Sequence, residues 1–153
     1  MPMSTPPQKV LLEDTATAVG LQYVVTVDDH QLGRFASCEG LGLEVVLETR
    51  EEGGFNTGVW QLPTRVKYPN VKLSRPLGAQ TESVMRWLST VSQGLVATTA
   101  SIEARTTDGT KVVTWTLRGV VPVRWTGPQL TSDQTKIATE TLELAHHGFT
   151  AGV

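Results

Sequence analysis

Short runs in which apolar and polar residues alternate recur along the chain, and they constrain its fold more than any other feature of the sequence. In the first run, 21–28, apolar side chains occupy every odd position up to Val27, with Gln22, Val24 and Thr26 between them. A turn at 29–31 and a second strand at 32–38 should follow, and alternation returns at 43–49. These segments predict three strands of an antiparallel meander with one face in water.

The second half of the chain carries a strong signal for a β-hairpin. Two alternating runs, 97–107 and 112–118, flank the dipeptide Asp108-Gly109, which favours a tight turn between strands. Gly119 then separates the second run from a further strand predicted at 120–126. An extended segment at 65–73 is interrupted by Pro69, which suits a sheet edge or a bulge. Six to eight strands are expected in all.

Helical periodicity occurs clearly in one place. Within 82–93, Val84, Trp87, Leu88 and Val91 recur at intervals of three and four residues, and Gly94 suits the position just after a helix. The last segment, 136–149, fits either a helix or a strand, although helix propensity alone favours a helix there.

The overall composition excludes several classes of protein. The chain has 153 residues, which suits a single domain over 1–153, and its net charge is −2 with no basic stripe of the kind that binds duplex nucleic acid. No run approaches the roughly 18 apolar residues that span a bilayer. The N-terminal part, 1–18, lacks a signal-peptide pattern and is expected to be an extended segment. We therefore expect synthesis in the cytoplasm.

The sequence lacks a recognisable catalytic or metal-binding constellation. Each candidate is better explained by an ordinary structural role. His30 beside Asp28 and Asp29 suits a polar turn, and the side chains of His146-His147 lie on opposite faces of a strand. Cys38 is a small apolar thiol, Gly40-Leu41-Gly42 is an incomplete dinucleotide fingerprint, and Glu51-Glu52 is a solvated acidic pair. We predict no enzyme activity, no metal and no cofactor.

Three stretches together resemble one known family. Residues 33–41 look like the pattern F-x-x-V/C-x-G-L and run into an acidic stretch that ends in Gly-Gly at 53–54. Residues 62–75 resemble L-P-G-x-x-K-Y-P-N-L-T-L-K-R, with Thr64 where a glycine is common, and 140–149 resemble E-x-L-x-L-x-H-x-G. In this order and spacing, from about Gly20 onward, they resemble the tail tube proteins of contractile phages and phage-derived injection systems.

The resemblance implies both a fold and an assembly. The fold would be an antiparallel β-sandwich or small barrel with one flanking helix, and 136–149 would be a strand. The chain would form hexameric rings that stack into the inner tube of a phage tail or tail-like particle, assembled in the cytoplasm and able to be released. Its partners would be itself, the sheath, the baseplate or tube-initiator proteins, and cargo or DNA in the lumen.

A ring subunit needs contact surfaces, and segment 50–62 has no strand or helix period. It is interpreted as an interface loop, although it could instead fold back onto its own core. The candidate interface residues are Arg50, Glu51, Glu52, Phe55 and Trp60.

A conduit also needs a wet inner wall, which the polar members of the alternating runs would supply. The same faces could instead meet outside solvent or the sheath. The candidate lumen residues are Gln22, Thr26, Glu44, Glu48, Thr99, Ser101, Glu103 and Arg105.

Three other functions remain open at this stage. One is a secreted ring protein of the Hcp type from a bacterial secretion system, which has a related fold. Another is a tail-tube initiator that joins tube to baseplate, although such adaptors usually carry extra domains. The last is a monomeric barrel that binds a small ligand.

Overall fold

The computed structural model describes residues 20–50, 58–94, 96–128 and 137–152. These residues form ten strands and one helix, and all strand pairs are antiparallel. The predicted fold class is therefore confirmed. In chain order the elements are β1 Gln22–Val27, β2 His30–Phe35, β3 Ser37–Glu39, β4 Glu44–Arg50, β5 Trp60–Lys67, β6 Val71–Pro76, α1 Thr81–Val91, β7 Thr98–Arg105, β8 Lys111–Thr126, β9 Thr139–Ala145 and β10 Phe149–Gly152.

Eight of the strands form one sheet that closes on itself. Their order is β2-β1-β7-β8-β9-β6-β3, and β10 adds to β8. The two ends of this path, β2 and β3, are separated in sequence only by Ala36, whose N–H donates to the Ser74 carbonyl at 2.9 Å. Because the terminal strands of the path are continuous in the chain, the sheet is a small barrel.

Strand β8 belongs to both halves of this barrel. Its first part, from Lys111 to Val120, pairs with β7, and its second part, from Val121 to Thr126, pairs with β9. The change of partner follows Gly119, which has a φ of +62° and so bends the strand. We call β2, β1, β7, β10 and the first part of β8 the first wall, and the remaining strands of the barrel the second wall. The prediction that Gly119 separates two strands is wrong, since one strand continues through it.

The barrel interior is filled by alternate residues of the strands together with one face of α1. The helix was correctly predicted; Val84 and Trp87 enter the core, and α1 packs beside β2. It ends at Val91 with Ser92 as its C-terminal cap, so Gly94 lies beyond the position predicted for it. The buried apolar residues include Val25, Val27, Leu32, Phe35, Val71, Leu73, Ala100, Ile102, Leu117, Val120, Leu142 and Leu144.

The predicted meander of the first three strands is wrong beyond its first hairpin. The turn lies at Asp28 and Asp29, one residue earlier than expected, with Asp28 at a φ of +48°. The next strand splits at Ala36 into β2 and β3, and β3 pairs with β6 rather than with β4. Strand β4 leaves the barrel and pairs with β5 as a separate two-stranded sheet.

Two further expectations concern segments 50–62 and 136–149. Arg50 ends β4 and Trp60 begins β5, so both flanks of the expected loop are strand, whereas 51–57 lie outside the described residues. The last segment contains the strand β9, as the family resemblance implies, and not the helix that propensity alone favours. Glu140, Leu142 and Leu144 all point into the barrel, and this period of two overrides the local helix propensity.

Candidate assembly interface

The separate sheet of β4 and β5 projects as an arm from the barrel. Glu44 pairs with Lys67 at its inner end and Arg50 with Trp60 at its outer end, with a bulge after Val46. In the part of the chain that the structure describes, neither strand is hydrogen-bonded into the barrel sheet. A two-stranded sheet alone is marginally stable in water. We refer to β4 and β5 together as the arm.

One face of the arm is almost uncharged and lies open. The pairing places Val45, Leu47 and Val66 on this face, and they are 43%, 49% and 47% exposed. Exposed apolar side chains are ordinary when scattered, but a contiguous set on an unsupported hairpin is typical of a surface that meets a partner. We call it the apolar face; Thr49, Gln61 and Pro63 complete it.

The opposite face of the arm carries its charges. Glu44 lies across from Lys67, and the Glu48 carboxylate lies 3.9 Å from the Arg50 guanidinium. Such exposed pairs contribute at most about 1 kcal/mol to folding stability. Trp60, directly opposite Arg50, is half exposed at the outer end. Leu62, 39% exposed, also lies on this face, so the face is mixed in character, whereas the apolar face carries no charge.

The two segments that connect the arm to the barrel touch each other. At Gly40, where φ is +83°, an added Cβ would lie 2.1 Å from the Asn70 carbonyl oxygen, so only glycine allows this close approach. The Asn70 side-chain amide donates to Glu143 Oε1 at 3.2 Å. Tyr68 packs against His146 and Phe149, with ring centroids 5.5 and 5.9 Å away. We call Tyr68, His146 and Phe149 the base cluster.

A buried ion pair joins strands β6 and β9. Arg75 on β6 and Glu140 on β9 are register partners, are 5% and 1% exposed, and bond at 2.5 Å. Arg75 also donates to the Leu32 and Gln80 carbonyls at 2.6 and 2.8 Å. Together with the base cluster, this pair shows that motif stretches 62–75 and 140–149 fold directly against each other. Sequence reasoning identified both stretches but not the pairing between their side chains.

The structure brings five of the eight candidate lumen residues onto the outer face of the first wall. Gln22 pairs with Arg105 and Thr26 with Ser101, and Glu103 lies between them on β7. Glu103 bonds to Arg105 at 2.8 Å and raises the pKa of that guanidinium. Thr99 lies at the bulge between Thr98 and Ala100, whereas Glu44 and Glu48 are on the arm, apart from the others.

Three further residues extend this polar face and were missed. Thr114 and Thr116 on β8 pair with Glu103 and Ser101, and Arg34 on β2 donates to Gln22 Oε1 at 3.2 Å. Alternation of threonine with Val113, Trp115 and Leu117 in the sequence could have identified the two threonines. We call the combined surface the polar face of the first wall.

The predicted interface residues are only partly described. Arg50 and Trp60 face each other across the outer end of the arm, and Glu51, Glu52 and Phe55 lie outside the described residues.

Over 20–50, 58–94, 96–128 and 137–152, no three His, Cys, Asp or Glu side chains come together as a metal site. Burial, followed by the charge of Glu39, raises the pKa of the Cys38 thiol to about 11. The described helix is too short to cross a membrane.

Residues 19–150 match the family of the T4-like virus tail tube protein gp19. The chain belongs to this tail tube family. The resemblance drawn from the three motif stretches is thereby confirmed, and this tail tube protein is a structural subunit of an inner tube. No curated protein matches it.

Solved structures share the fold of this tail tube protein. A chain of the PVC sheath-tube complex, from an extracellular contractile injection system in its extended state, has a TM-score of 0.75 at 17% identity, over 97% of this chain and 99% of that one. A chain of the anti-feeding prophage baseplate has a TM-score of 0.70 at 19% identity, with coverage of 92% and 97%. Hcp1 from Flavobacterium johnsoniae is less similar, with a TM-score of 0.50 at 12% identity, over 86% and 94%.

Proposed function

We propose that this tail tube protein assembles into six-subunit rings that stack into the conduit of a contractile tail or injection system, with a sheath around it and a baseplate at its end. Its function is structural rather than catalytic. The fold it shares with chains of a sheath-tube complex and of a six-fold symmetrised baseplate supports this geometry. Assembly in the cytoplasm, with cargo or DNA passing through the lumen, belongs to the same proposal.

The observation that carries the proposal is the contrast between a closed barrel and an arm without support. The barrel buries its own core and needs no partner to complete it. The arm leaves Val45, Leu47 and Val66 in water. A neighbouring subunit that covers these side chains would gain roughly 1 kcal/mol or more for each of them through the hydrophobic effect. The apolar face is therefore the proposed contact surface between subunits.

The arm takes the place of the loop predicted at 50–62 as the proposed interface. Its two strands place Arg50 and Trp60 at the outer end of the arm, where they can reach an adjacent subunit. The free edge of β10, which pairs only with β8 among the described strands, offers a second surface for pairing between sheets. Both features favour a polymer over an isolated barrel.

The conduit requires a hydrated wall, and the polar face of the first wall has the composition for it. Apart from Val24, its side chains carry hydroxyls, an amide and charges of both signs, including Arg34 and the Glu103–Arg105 pair. A surface of this kind binds water well and offers no apolar patch on which cargo could stick. We assign it to the lumen, with contact to the sheath as the competing assignment.

The proposal is tested by replacing the apolar face without touching the barrel. The triple variant Val45→Thr, Leu47→Thr, Val66→Thr keeps β-propensity. Because the three residues are half exposed, its thermal unfolding should match that of the wild type within about 0.5 kcal/mol. Electron microscopy in the presence of baseplate initiator should show tubes for the wild type and none for the triple variant.

A matched control uses Val123→Thr, which changes a half-exposed strand valine outside the arm. This variant should form tubes. Normal tubes from the triple variant would refute the assignment of the apolar face. Monomers from the wild type at high micromolar concentration, with initiator present, would refute the proposed function itself.

A further inference from the structure

The turn between β7 and β8 contains the one Asp-Gly dipeptide of the sequence, Asp108-Gly109. In such a dipeptide the backbone nitrogen of glycine can attack the side-chain carboxyl carbon of aspartate, because glycine has no Cβ to hinder the approach. Both residues are exposed, and a Cβ added to Gly109 would have open space around it. Burial and packing therefore do not protect this dipeptide, and its reactivity depends on the conformation and hydrogen bonds of the turn.

The reaction would move the main chain onto the side chain of Asp108. A bond forms between Gly109 N and Asp108 Cγ, while the Cγ hydroxyl and the amide proton leave as water, and the product is a succinimide ring. Water then opens the ring. Cleavage between the nitrogen and the Asp108 α-carbonyl carbon gives isoaspartate, whereas cleavage between the nitrogen and Cγ restores aspartate. One water molecule leaves and another enters, so neither an oxidant nor a reductant is required.

The conformation of the turn opposes this ring closure. Gly109 N–H donates to the Thr106 carbonyl at 3.0 Å, and Thr106 N–H donates to the Thr110 carbonyl at 2.9 Å. Asp108 lies at negative φ and Gly109 at +92°, which is the pattern of a type I turn followed by a left-handed glycine. The third residue of a type I turn has a ψ of about 0°. Ring closure needs a large rotation of the Asp108 ψ, which brings Gly109 N beside Cγ and breaks the turn.

The two reacting groups are also held by hydrogen bonds. The Gly109 N–H, whose proton must leave, is engaged with the Thr106 carbonyl. Asp108 Oδ1 accepts from the Thr106 hydroxyl and from the Thr110 N–H, the latter at 3.1 Å. These bonds, that of the Thr106 hydroxyl first, lower the pKa of the Asp108 carboxyl below its ordinary value. Because the ionised carboxylate has no hydroxyl to lose, a larger ionised fraction slows ring closure.

We infer that Asp108-Gly109 is a latent isoaspartate site: the folded turn and the Thr106 hydroxyl keep it unreactive, and opening of the hairpin allows ring closure. Isoaspartate carries the main chain through Cβ and Cγ and so adds one main-chain atom between β7 and β8. Pairing of these strands starts at Arg105 and Lys111, next to the turn, and their register decides which face each side chain occupies. The modification therefore disfavours the turn from which both strands start. This inference does not depend on the proposed function, because it concerns a single subunit.

The first experiment compares the folded with the unfolded full-length chain. One sample is incubated in neutral buffer and the other in the same buffer with guanidinium chloride. Trypsin then cuts after Arg105 and Lys111 and releases peptide 106–111, whose isoaspartate and aspartate forms have the same mass and separate by chromatography. Isoaspartate should form at least about tenfold faster in the unfolded chain, because the hydrogen bonds that restrain both reacting groups are lost. A synthetic peptide 106–111 in both solutions corrects for effects of the denaturant, and equal corrected rates would overturn the inference.

Substitutions in the turn test the role of the Thr106 hydroxyl. Thr106→Val removes it and keeps the shape of the side chain, so folded protein should form isoaspartate about fivefold faster than the wild type. In guanidinium chloride the two should react alike. Thr106→Ser keeps the hydroxyl and Thr107→Val removes a neighbouring one, and both should react like the wild type. A wild-type rate in folded Thr106→Val, or an equal acceleration in Thr107→Val, would refute the protective role; the first experiment still decides the inference where Thr106→Val does not fold.

A second assay assigns the modification to one residue. An isoaspartyl methyltransferase transfers a methyl group from S-adenosylmethionine to the carboxylate that ring opening frees, so it counts isoaspartate in the whole chain. Asp108→Glu keeps the charge but lengthens the side chain, which makes ring closure unfavourable, and methylation of the incubated, unfolded chain should fall at least about fivefold. Asp29→Glu, in the exposed turn between β1 and β2, is the matched control and should be methylated like the wild type. Undiminished methylation of Asp108→Glu would place the reactive site elsewhere and overturn the inference.

Discussion

Arg75 holds together three segments that are distant in sequence. Its guanidinium bonds to Glu140 on β9, to the Leu32 carbonyl on β2 and to the Gln80 carbonyl before α1, and it lies 4.2 Å above the Phe35 ring centroid. Leu32 lies on β2, which runs beside β6, whereas Gln80 immediately precedes α1. Removing the carboxylate partner of a buried guanidinium is costly, because the remaining charge is then left without compensation.

Replacing one member of the Arg75–Glu140 pair should lower the free energy of unfolding far more than replacing both. Glu140→Leu strands a buried guanidinium and should cost about 3–5 kcal/mol of unfolding free energy in urea titrations. Arg75→Met with Glu140→Leu should recover part of this loss, leaving about 1–3 kcal/mol for the two unpaired carbonyls.

The exposed Glu82–Arg86 pair, at 2.8 Å, provides the control, and Glu82→Leu should change stability by less than about 1 kcal/mol. Equal losses for Glu140→Leu and Glu82→Leu would contradict this account.

Among the elements, β8 determines the shape of the barrel because it is shared by both walls. With its bend at Gly119, the strand pairs with β7 up to Val120 and with β9 from Val121 onward. The His147 ring fills the space beside Gly119, and an added Cβ would lie 2.3 Å from His147 Cδ2. The bend therefore depends both on the positive φ and on the missing side chain.

Gly119→Ala should destabilise the barrel by about 2 kcal/mol, as measured by thermal or chemical unfolding, because alanine resists a φ of +62° and meets His147. In the double variant with His147→Ala the steric clash should be relieved, so the loss of folding stability should fall to about 1 kcal/mol. Gly94→Ala is the control, since open space surrounds it, and it should be neutral or slightly stabilising. A neutral Gly119→Ala would mean that the bend is not determined by this residue.

Local patterns in the sequence predicted most elements of the fold but not their pairing. The helix, the Asp108-Gly109 hairpin and β1 follow from periodicity and turn chemistry. The departure of β4 into an arm could not be predicted, because Glu44–Arg50 alternates as a barrel strand would. Segment 136–149 required the family resemblance, since propensity favours a helix and only its partners β6 and β8 impose a strand. The Arg75–Glu140 pair joins residues 65 positions apart and leaves no local signal.

At the scale of the whole molecule, the barrel presents two different outer surfaces. The polar face of the first wall is rich in hydroxyl groups. On the second wall, Lys72, Glu143 and Arg124 form a row of alternating charge across three strands. In a ring, one surface must turn inward and the other outward. We propose that the polar face of the first wall turns inward, because its hydroxyl groups bind water, whereas the row of charges on the second wall suits fixed contacts with a partner.

Cysteine labelling distinguishes the two orientations. Gln22→Cys and Ser101→Cys, each in a Cys38→Ser background, should react with a small maleimide both in free subunits and in tubes closed at both ends. A bulky maleimide should label them at least about tenfold less in closed tubes, because it cannot diffuse along the lumen. Equal labelling by the bulky reagent before and after assembly would place the polar face outside.

The separation of the arm from the barrel has a consequence for how such proteins diverge. Substitutions in the arm leave the barrel core untouched, since its side chains pack in no part of that core. Selection can therefore alter subunit recognition without risking loss of the folded state. Two duplicated genes in one cell could drift apart in β4 and β5 alone and stop forming mixed polymers, while sharing an unchanged scaffold.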